Sequence, residues 1–328
     1  MPPFDVRAVK KLRYWLEWFL VSFFARLIPL MPLKAVRVLA GAAGTLVYHF
    51  DRKSRSVALA NLEAAFGNEL SLNERRRIAK RSLQIFGQSF LELFWTPRLN
   101  PKNIETFIRF ENPETFRALR DKGTPTIVVT PHFGNFEWGS ALFAFLGYRG
   151  MVVTQRFKND RLTAIFARLR AYSGHEVVTQ ESSILRLLKT LRRGRPIGVL
   201  TDLTLKIKDP AVIIEAFGMK TRVTLAHSIL HERTQAPIVP FITLPRQDGG
   251  YLLRLMPPLN FAEGTPYQTI AQACWDQFEP IIREHPEQWL WGYKHWRYKP
   301  SETDQTYPYY SNCSVKFDAE LDEAKQGT

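Results

Sequence analysis

The stretch Thr126-Ile-Val-Val-Thr-Pro-His132-Phe-Gly-Asn-Phe-Glu137-Trp-Gly-Ser140 decides how this chain is expected to fold. Its first five residues are mostly β-branched and apolar, which predicts a buried strand that ends just before the histidine. Gly134 allows a tight turn, and Asn135 is a typical helix N-cap, so a helix is expected from there to about Leu146. The histidine therefore follows the carboxyl end of a strand, where open α/β sheets bind ligands.

His132 is a candidate general base, because a neutral imidazole can take a proton from an alcohol near neutral pH. Such a base works better when an acid fixes its tautomer and stabilises the imidazolium. Glu137 is one candidate for that orienting acid, and it can meet His132 only if the histidine lies in the turn before the helix. Asp202 is the other, because it should end a strand at the same edge of the sheet. The sequence leaves this choice open.

Beyond about residue 107, strand-like and helix-like segments alternate, which predicts an α/β domain with a mixed, mostly parallel central sheet flanked by helices. Strands are expected at 107–110, 126–130, 151–154, 197–200, 212–216, 238–242 and 251–255. Helices are expected near 113–121, 136–146, 160–173, 181–193, 221–235 and 266–284. Upstream, Ser71-Leu-Asn-Glu74 has the pattern of a capping box and predicts a helix to about Trp95.

The stretch around His132 resembles the His-x4-acid signature of the bacterial lipid A late acyltransferases, the lauroyl/myristoyl transferase family. Other segments resemble that family in the same order over about residues 10 to 300. They are Gln155-Arg156-Phe-Lys-Asn159, Arg168-Leu-Arg170-Ala-Tyr-Ser-Gly174, Asp202, Phe217-Gly-Met-Lys-Thr221, Ala236-Pro-Ile-Val-Pro240 and the segment from Pro286 through Trp289 and Trp291 to Arg297. Two positions depart from the family pattern: leucine follows Asp202 where glutamine is common, and Ala216 replaces a phenylalanine. These departures concern which acceptor the enzyme uses rather than acyl transfer itself.

This resemblance implies a glycerolphosphate-acyltransferase-like fold and an enzyme that moves a fatty acyl chain from acyl carrier protein to a hydroxyl of a lipid A precursor. It implies a location at the cytoplasmic face of the bacterial inner membrane. The catalytic residues would be His132 with Glu137 or Asp202. Residues that could hold a phosphate or the acceptor's sugar are Arg156, Asn159 and Arg170, since a guanidinium binds oxyanions bidentately. A thioester donor needs neither metal nor nucleotide, so no cofactor is expected.

The charge of the chain favours anionic partners. Its net charge is +14 and its pI is near 9.8, and its last 28 residues carry six acids against two lysines, so the rest is more basic still. Anionic lipids, phosphorylated glycolipids and an acidic carrier protein fit this charge. No RNA- or DNA-binding motif is present, so nucleic acid is not an expected partner. Two cysteines do not make a disulfide framework, which fits a cytosol-facing site.

The N-terminal segment from Tyr14 to Met31 is apolar, but it contains Glu17, Arg26 and Pro29 and would make a poor free-standing transmembrane helix. Its Trp and Phe content favours a membrane-associated, interfacial or shallow anchor, with a buried core helix as the alternative. The expected organisation is membrane-anchoring helices in 1–50, an acyltransferase domain in 51–300 and an acidic flexible tail in 301–328.

Several alternatives remain open at the level of sequence. A related enzyme could acylate another glycolipid or a phospholipid and use acyl-coenzyme A. A basic membrane-binding protein with an inactive site is another. A metal hydrolase is the most distant: His227 and His231 share a helix face, but a third ligand is missing. The tryptophans Trp289, Trp291 and Trp296, interleaved with basic residues, suggest an interface-facing strip, with core packing as a comparable alternative.

Overall fold

The computed structural model describes residues 6–180 and 183–326. Within these ranges the helices are α1 (Val6–Leu27), α2 (Leu33–Phe50), α3 (Arg52–Phe66), α4 (Leu72–Trp95), α5 (Ile104–Phe107), α6 (Pro113–Asp121), α7 (Phe136–Phe145), α8 (Asp160–Ala171), α9 (Ser183–Arg192), α10 (Ala226–Thr234), α11 (Tyr267–Asp276), α12 (Glu279–Glu284) and α13 (Val315–Gln326). The strands are β1 (Ile108–Phe110), β2 (Ile127–Thr130), β3 (Met151–Thr154), β4 (Glu176–Thr179), β5 (Ile197–Leu200), β6 (Val212–Ala216), β7 (Met219–Val223), β8 (Ile238–Pro245), β9 (Tyr251–Leu255), β10 (Tyr298–Lys299) and β11 (Asn312–Cys313).

A seven-stranded sheet in the order β1-β9-β8-β2-β5-β3-β4 forms the centre of the fold. Strands β8, β2, β5, β3 and β4 run parallel to one another, whereas β9 is antiparallel to β8 and carries β1 alongside it in parallel. Strands β6 and β7 make a separate hairpin. The expected mostly parallel sheet with flanking helices is therefore confirmed.

Helices cover both faces of this sheet. All four residues of β2 are therefore buried, on whichever face their side chains lie. Ile127 and Val129 belong to one apolar cluster and Val128 belongs to the other, as the alternation of side chains along a strand requires. The first cluster includes parts of α3, α9, α11 and α12, and the second includes parts of α4, α7 and α8. The chain between β2 and α7 emerges at the edge between these two layers.

Four expected strands, 151–154, 197–200, 212–216 and 251–255, have the bounds that the sequence predicts. The expected helix over 221–235 is wrong at its start, because Met219–Val223 pair with β6 as a hairpin strand. The expected helix over 266–284 is interrupted between Asp276 and Glu279. Strand β4 was not predicted, and the first two residues of the helix expected over 181–193 lie outside the described residues.

The expectation of a flexible acidic tail is corrected by α13, which packs against the body of the protein. Phe317 is fully buried, and the fully buried Arg222 side chain donates to both carboxylate oxygens of Glu320, at 2.6 and 2.8 Å. A buried guanidinium needs a counter-charge, and the acidic segment supplies it. The proposed divisions after residues 50 and 300 stay predictions.

The N-terminal helices differ in how much of their apolar surface they bury against the rest of the protein. Helix α2 packs closely on α4, and a Cβ at Gly44 would lie 2.5 Å from the Cα of Gln84. In contrast, α1 leaves a row of large apolar side chains exposed: Leu12, Trp15, Leu16, Phe19, Leu20 and Phe23. Among the described residues, no helix combines the length and the apolar character needed to cross a membrane.

Candidate active site

The first pair of candidate residues is brought together by the register of two neighbouring strands. Thr130 at the end of β2 is the register partner of Leu200 at the end of β5. His132 and Asp202 each lie two residues beyond these partners. Because the two strands are parallel, their carboxyl ends open at the same edge of the sheet.

The carboxylate of Asp202 holds His132 by two contacts. Its Oδ1 lies 2.7 Å from Nδ1 of the imidazole, and its Oδ2 accepts the backbone N–H of His132 at 2.9 Å. The Asp202 side chain is fully buried, and the His132 side chain is 11% exposed. When Nδ1 donates its proton to the carboxylate, Nε2 carries the lone pair and can act as a base.

Asp202 is ionised at any pH near neutrality. Burial alone would raise its pKa, but the charge and hydrogen bonds of His132 outweigh burial and hold the pKa at about 2. An ionised carboxylate on Nδ1 favours the imidazolium that forms when Nε2 takes a proton.

Trp289 completes the environment of the Asp202 carboxylate. Its indole N–H donates to Oδ2 at 2.9 Å, and its ring stacks on His295 with the ring centroids 4.0 Å apart. All three tryptophans of the suggested interface strip, Trp289, Trp291 and Trp296, are almost completely buried, so the core alternative is the one observed. Apart from its place in the C-terminal motif, Trp289 has no sequence feature that assigns it to the site.

The turn that carries His132 can be built only with glycine at position 134. Gly134 has a φ of +54°, and a Cβ there would lie 2.1 Å from the carbonyl oxygen of Thr243. Its N–H donates to the carbonyl of Gln288 at 2.9 Å, and its own carbonyl accepts the hydroxyl of Ser89 at 2.8 Å. The expected N-cap is confirmed, since Oδ1 of Asn135 accepts the N–H of Trp138 at 2.9 Å.

A buried carboxylate supports this turn from α4, and sequence analysis did not identify it. Glu92 has no exposed surface and accepts hydrogen bonds from Asn135, Tyr251 and Arg37. The same Asn135 side chain therefore caps α7 with its oxygen and binds Glu92 with its nitrogen. A buried glutamate in the last turn of an amphipathic helix has no distinctive sequence signal.

Glu137 does not orient His132, and that interpretation is corrected. Its carboxylate is held by Arg170 of α8, whose Nε lies 3.0 and 3.1 Å from the two oxygens and whose second amino group lies 2.5 Å away. A third nitrogen of Arg170 donates to Thr154 Oγ1 at 2.7 Å. Burial would lower the pKa of Arg170, but the charge of Glu137 outweighs it and raises that pKa. Since Thr154 ends β3, the ion pair lies at the same edge of the sheet as His132.

The other two expected substrate-binding residues make contacts elsewhere. Arg156 forms an exposed bidentate ion pair with Asp160 at 2.8 and 3.0 Å. Asn159 donates to the backbone carbonyl of Tyr14 at 2.8 Å and to Glu17 at 3.2 Å, so it attaches α1 to the start of α8. These hydrogen bonds do not reach His132 or Asp202.

The two histidines of α10 are buried apart from this site. The Nδ1 of His231 lies 2.8 Å from the carbonyl of Ala236. Neither ring nitrogen of His227 has a hydrogen-bond partner among the described residues, and burial lowers the pKa of His227 to about 4. In residues 6–180 and 183–326 no group of three or more His, Cys, Asp or Glu side chains is arranged to hold a metal ion.

A buried carboxylate, an imidazole and a glycine turn at a strand edge are an arrangement that suits general-base catalysis. Comparison with known proteins identifies the family of the chain. Residues 1–298 match the family model of bacterial lipid A biosynthesis acyltransferases. The chain is 23% identical to the lipid A biosynthesis lauroyltransferase of Escherichia coli strain K12 over 303 residues, 90% of this chain and 95% of that protein. It is 22% identical to a lipid A biosynthesis acyltransferase of Haemophilus influenzae, covering 86% of this chain and 87% of that one. It is also 22% identical to the lipid A biosynthesis acyltransferase 2 of Shigella flexneri, covering 90% of this chain and 94% of that one. The chain therefore belongs to the bacterial lipid A biosynthesis acyltransferase family and is an acyltransferase.

Proposed function

We propose that this enzyme transfers a fatty acyl chain from a thioester, carried by acyl carrier protein, to a hydroxyl group of a lipid A precursor. The observation that carries the proposal is the contact between His132 and Asp202, which leaves Nε2 of the imidazole as a base at the edge of the sheet. The three relatives named above are each described as enzymes of lipid A biosynthesis, which supports the choice of acceptor.

The reaction needs one proton to move twice. Nε2 of His132 takes the proton of the acceptor hydroxyl while that oxygen attacks the carbonyl carbon of the thioester. The tetrahedral intermediate then collapses, the carbon–sulfur bond breaks, and the thiolate leaves. The imidazolium returns the proton to the thiolate, so the products are an ester and a free thiol. Asp202 stays ionised throughout and stabilises the imidazolium.

Arg156 and Arg170 are proposed to hold the substrate at this edge, with Asn159 fixing the segment between them. Arg156 lies two residues beyond the end of β3, and Arg170 binds the last residue of that strand. Both positions are therefore near the edge where His132 lies. A guanidinium there can bind a phosphate or a sugar hydroxyl of the acceptor.

The exposed apolar face of α1 is proposed to lie in the surface of the inner membrane, on its cytoplasmic side. Phe19, Leu20 and Phe23 are each about half exposed, and Lys10, Lys11 and Arg13 precede them. Apolar side chains beside cations suit a helix that lies in the interface of an anionic membrane. Asn159 ties this helix to the segment that carries Arg156, so the membrane surface would lie close to the substrate.

The reaction is tested with purified protein in detergent. Wild type, His132→Ala and the control His285→Ala, which changes a histidine on the protein surface, are each given acyl carrier protein loaded with a series of acyl lengths and a phosphorylated lipid A precursor. Mass spectrometry should show a gain of one acyl group with wild type and control, and none with His132→Ala. Parallel reactions contain acyl-coenzyme A, or a phospholipid acceptor. Product in those reactions alone would move the assignment to another acceptor or donor, and folded wild type that makes no product in any reaction would refute acyl transfer.

The membrane contact is tested by flotation with vesicles that contain anionic phospholipid. Replacing Phe19 and Phe23 by serine should greatly reduce the fraction of protein that floats. The matched control replaces Tyr309 and Val315 by serine. Both are exposed apolar side chains far along the chain, so this variant should float like wild type. If the Phe19 and Phe23 variant floats as well as the control variant and wild type, α1 is excluded as the membrane contact.

A further inference from the structure

An open cleft of about 610 Å³ lies outside the contacts of His132, between the start of α3 and the segment that follows Trp291. We call it the basic cleft, because the charged side chains that line it are Lys53, Lys294 and Arg297 against one acid, Asp51. Tyr293 and Tyr310 supply aromatic walls. Arg297 is the last residue of the C-terminal motif, and the proposed reaction does not use it.

Lys53 helps to lower the pKa of Asp51 through its charge, but the three cations of the cleft are not held in close ion pairs with the described carboxylates. Within the described part of the chain, no carboxylate lies within ion-pair distance of Lys53, Lys294 or Arg297. Lys294 and Arg297 are half-buried, and the ammonium of Lys294 lies 4.9 Å from the ring centre of Tyr310. Partly buried cations usually have a counter-charge, because taking them out of water is unfavourable. A bound anionic ligand would supply this counter-charge.

The single acid of the cleft is already engaged. Oδ1 of Asp51 accepts the backbone N–H of Ser54, and Oδ2 accepts its hydroxyl at 2.6 Å, so Asp51 serves as the N-cap of α3. Its hydrogen bonds with Ser54 lower the pKa of Asp51, as expected for a capping carboxylate. With Asp51 ionised, the three cations still leave the cleft a net charge of +2, which favours an anion.

The cleft is joined to the catalytic carboxylate by packed side chains. The hydroxyl of Tyr293 donates to the carbonyl of Thr204 at 3.0 Å, in the loop that begins with Asp202. The ring of Tyr293 contacts His295, with centroids 5.2 Å apart, and His295 stacks on Trp289. A ligand in the cleft would thus lie on the loop and the segment that hold Asp202 in place.

We propose that the basic cleft binds a phosphate group carried by one of the two substrates of the reaction. The inference rests on the proposed function, since both an acyl-phosphopantetheine donor and a phosphorylated glycolipid acceptor bring such a group. Lysine and arginine side chains around an aromatic wall suit a phosphate monoester or diester. Lys294 and Arg297 bind it directly, and Lys53 adds charge from the exposed rim.

The binding test does not depend on activity. Inorganic diphosphate is titrated into the full-length protein in a neutral detergent, with heat as the readout. The variant Lys294→Gln/Arg297→Gln should bind at least tenfold more weakly than wild type. The matched control Lys102→Gln/Lys122→Gln removes the same charge from two exposed lysines away from the cleft and should bind like wild type. If the first variant is poorly folded, Lys53→Gln on the rim replaces it and should weaken binding at least threefold.

Kinetics then distinguish the two sources of the phosphate. If the phosphate belongs to the acceptor, Lys294→Gln/Arg297→Gln raises KM for the phosphorylated lipid and not for its dephosphorylated form. If it belongs to the donor, KM rises for acyl carrier protein and not for an acyl thioester without phosphate. Diphosphate binding that is the same in wild type, both double variants and Lys53→Gln would overturn the proposal, whatever the outcome of the acyl-transfer assay.

Discussion

His132 and Asp202 lie at equal distances along the chain from two residues that are register partners, Thr130 and Leu200. This relationship decides which acid contacts the imidazole. Residues that leave adjacent parallel strands at the same level arrive at the same point of the sheet edge. Glu137, which is much closer in sequence, has already turned into α7 and meets Arg170 on α8 instead.

Gly134→Ala should be one of the most damaging small substitutions in the protein. The added Cβ would lie 2.1 Å from the carbonyl oxygen of Thr243, so the turn must move, and we expect a loss of about 3 kcal/mol or more. Gly123→Ala is the matched control, because Gly123 has nearly the same φ, +59°, and the described residues beyond its chain neighbours place no atom within 4 Å of the new Cβ. It should lose about 1 kcal/mol. Urea unfolding measures both, and equal losses would contradict the steric argument.

Breaking the pair between Glu137 and Arg170 should cost stability that the double change partly restores. Glu137→Gln leaves a mostly buried guanidinium, 23% exposed, with a weakened partner, and we expect a loss of about 2 kcal/mol. Replacing Arg170 by methionine as well removes the uncompensated charge. The double variant should therefore lose about 1–2 kcal/mol less than the sum of the single variants. Additive losses in urea unfolding would show that the two side chains are not coupled.

Glu92→Gln should destabilise the fold through the turn that carries His132. The change leaves Arg37 without its carboxylate and weakens the hydrogen bonds from Asn135 and Tyr251, so we expect a loss of about 2–3 kcal/mol. Glu105→Gln, on an exposed position of α5, should change the free energy of unfolding by less than about 0.5 kcal/mol. A loss at Glu92 no larger than that of the control would mean that the buried network contributes nothing.

His227 should make the protein less stable as the pH falls from 7 to 5. Burial lowers the pKa of His227 to about 4 from 6.5, so between these values the unfolded chain binds the proton and the folded protein does not. The contribution of the neutral ring is complete above pH 6.5 and is lost progressively down to pH 4. From pH 7 to pH 5 we expect wild type to lose about 2 kcal/mol more than His227→Leu. Parallel pH dependence of the two proteins in urea unfolding would contradict this assignment.

The sequence is sufficient to predict the strand, the glycine turn and the N-cap around His132, because each of these local structures depends on neighbouring residues. The sequence does not predict strand β4, because Glu176–Thr179 is only four residues long and begins with a charged residue. The helix expected from residue 221 takes in the last three residues of β7, because that strand is formed by pairing with β6 across the turn at Phe217 and Gly218. These features depend on contacts rather than on local composition.

The site could be predicted as a set of residues but not as a set of contacts. His132, Glu137, Arg170 and Asp202 were all identified, yet their pairing depends on strand order, which the chain does not reveal directly. Trp289 reaches Asp202 from 87 residues away, and Arg222 meets Glu320 across 98 residues. Such long-range partners explain why the acidic segment was interpreted as a flexible tail and the tryptophans were considered for a surface strip.

The central claim is that Asp202, rather than Glu137, makes His132 a base. The most direct measurement is the single-turnover rate of acyl transfer from acyl carrier protein to a lipid A precursor, in wild type, His132→Ala, Asp202→Asn and Glu137→Gln side by side. Asp202→Asn should slow the reaction by about 10²- to 10⁴-fold, close to His132→Ala, while Glu137→Gln should slow it by less than about tenfold. A fast Asp202→Asn variant beside a Glu137→Gln variant as slow as His132→Ala would contradict the account.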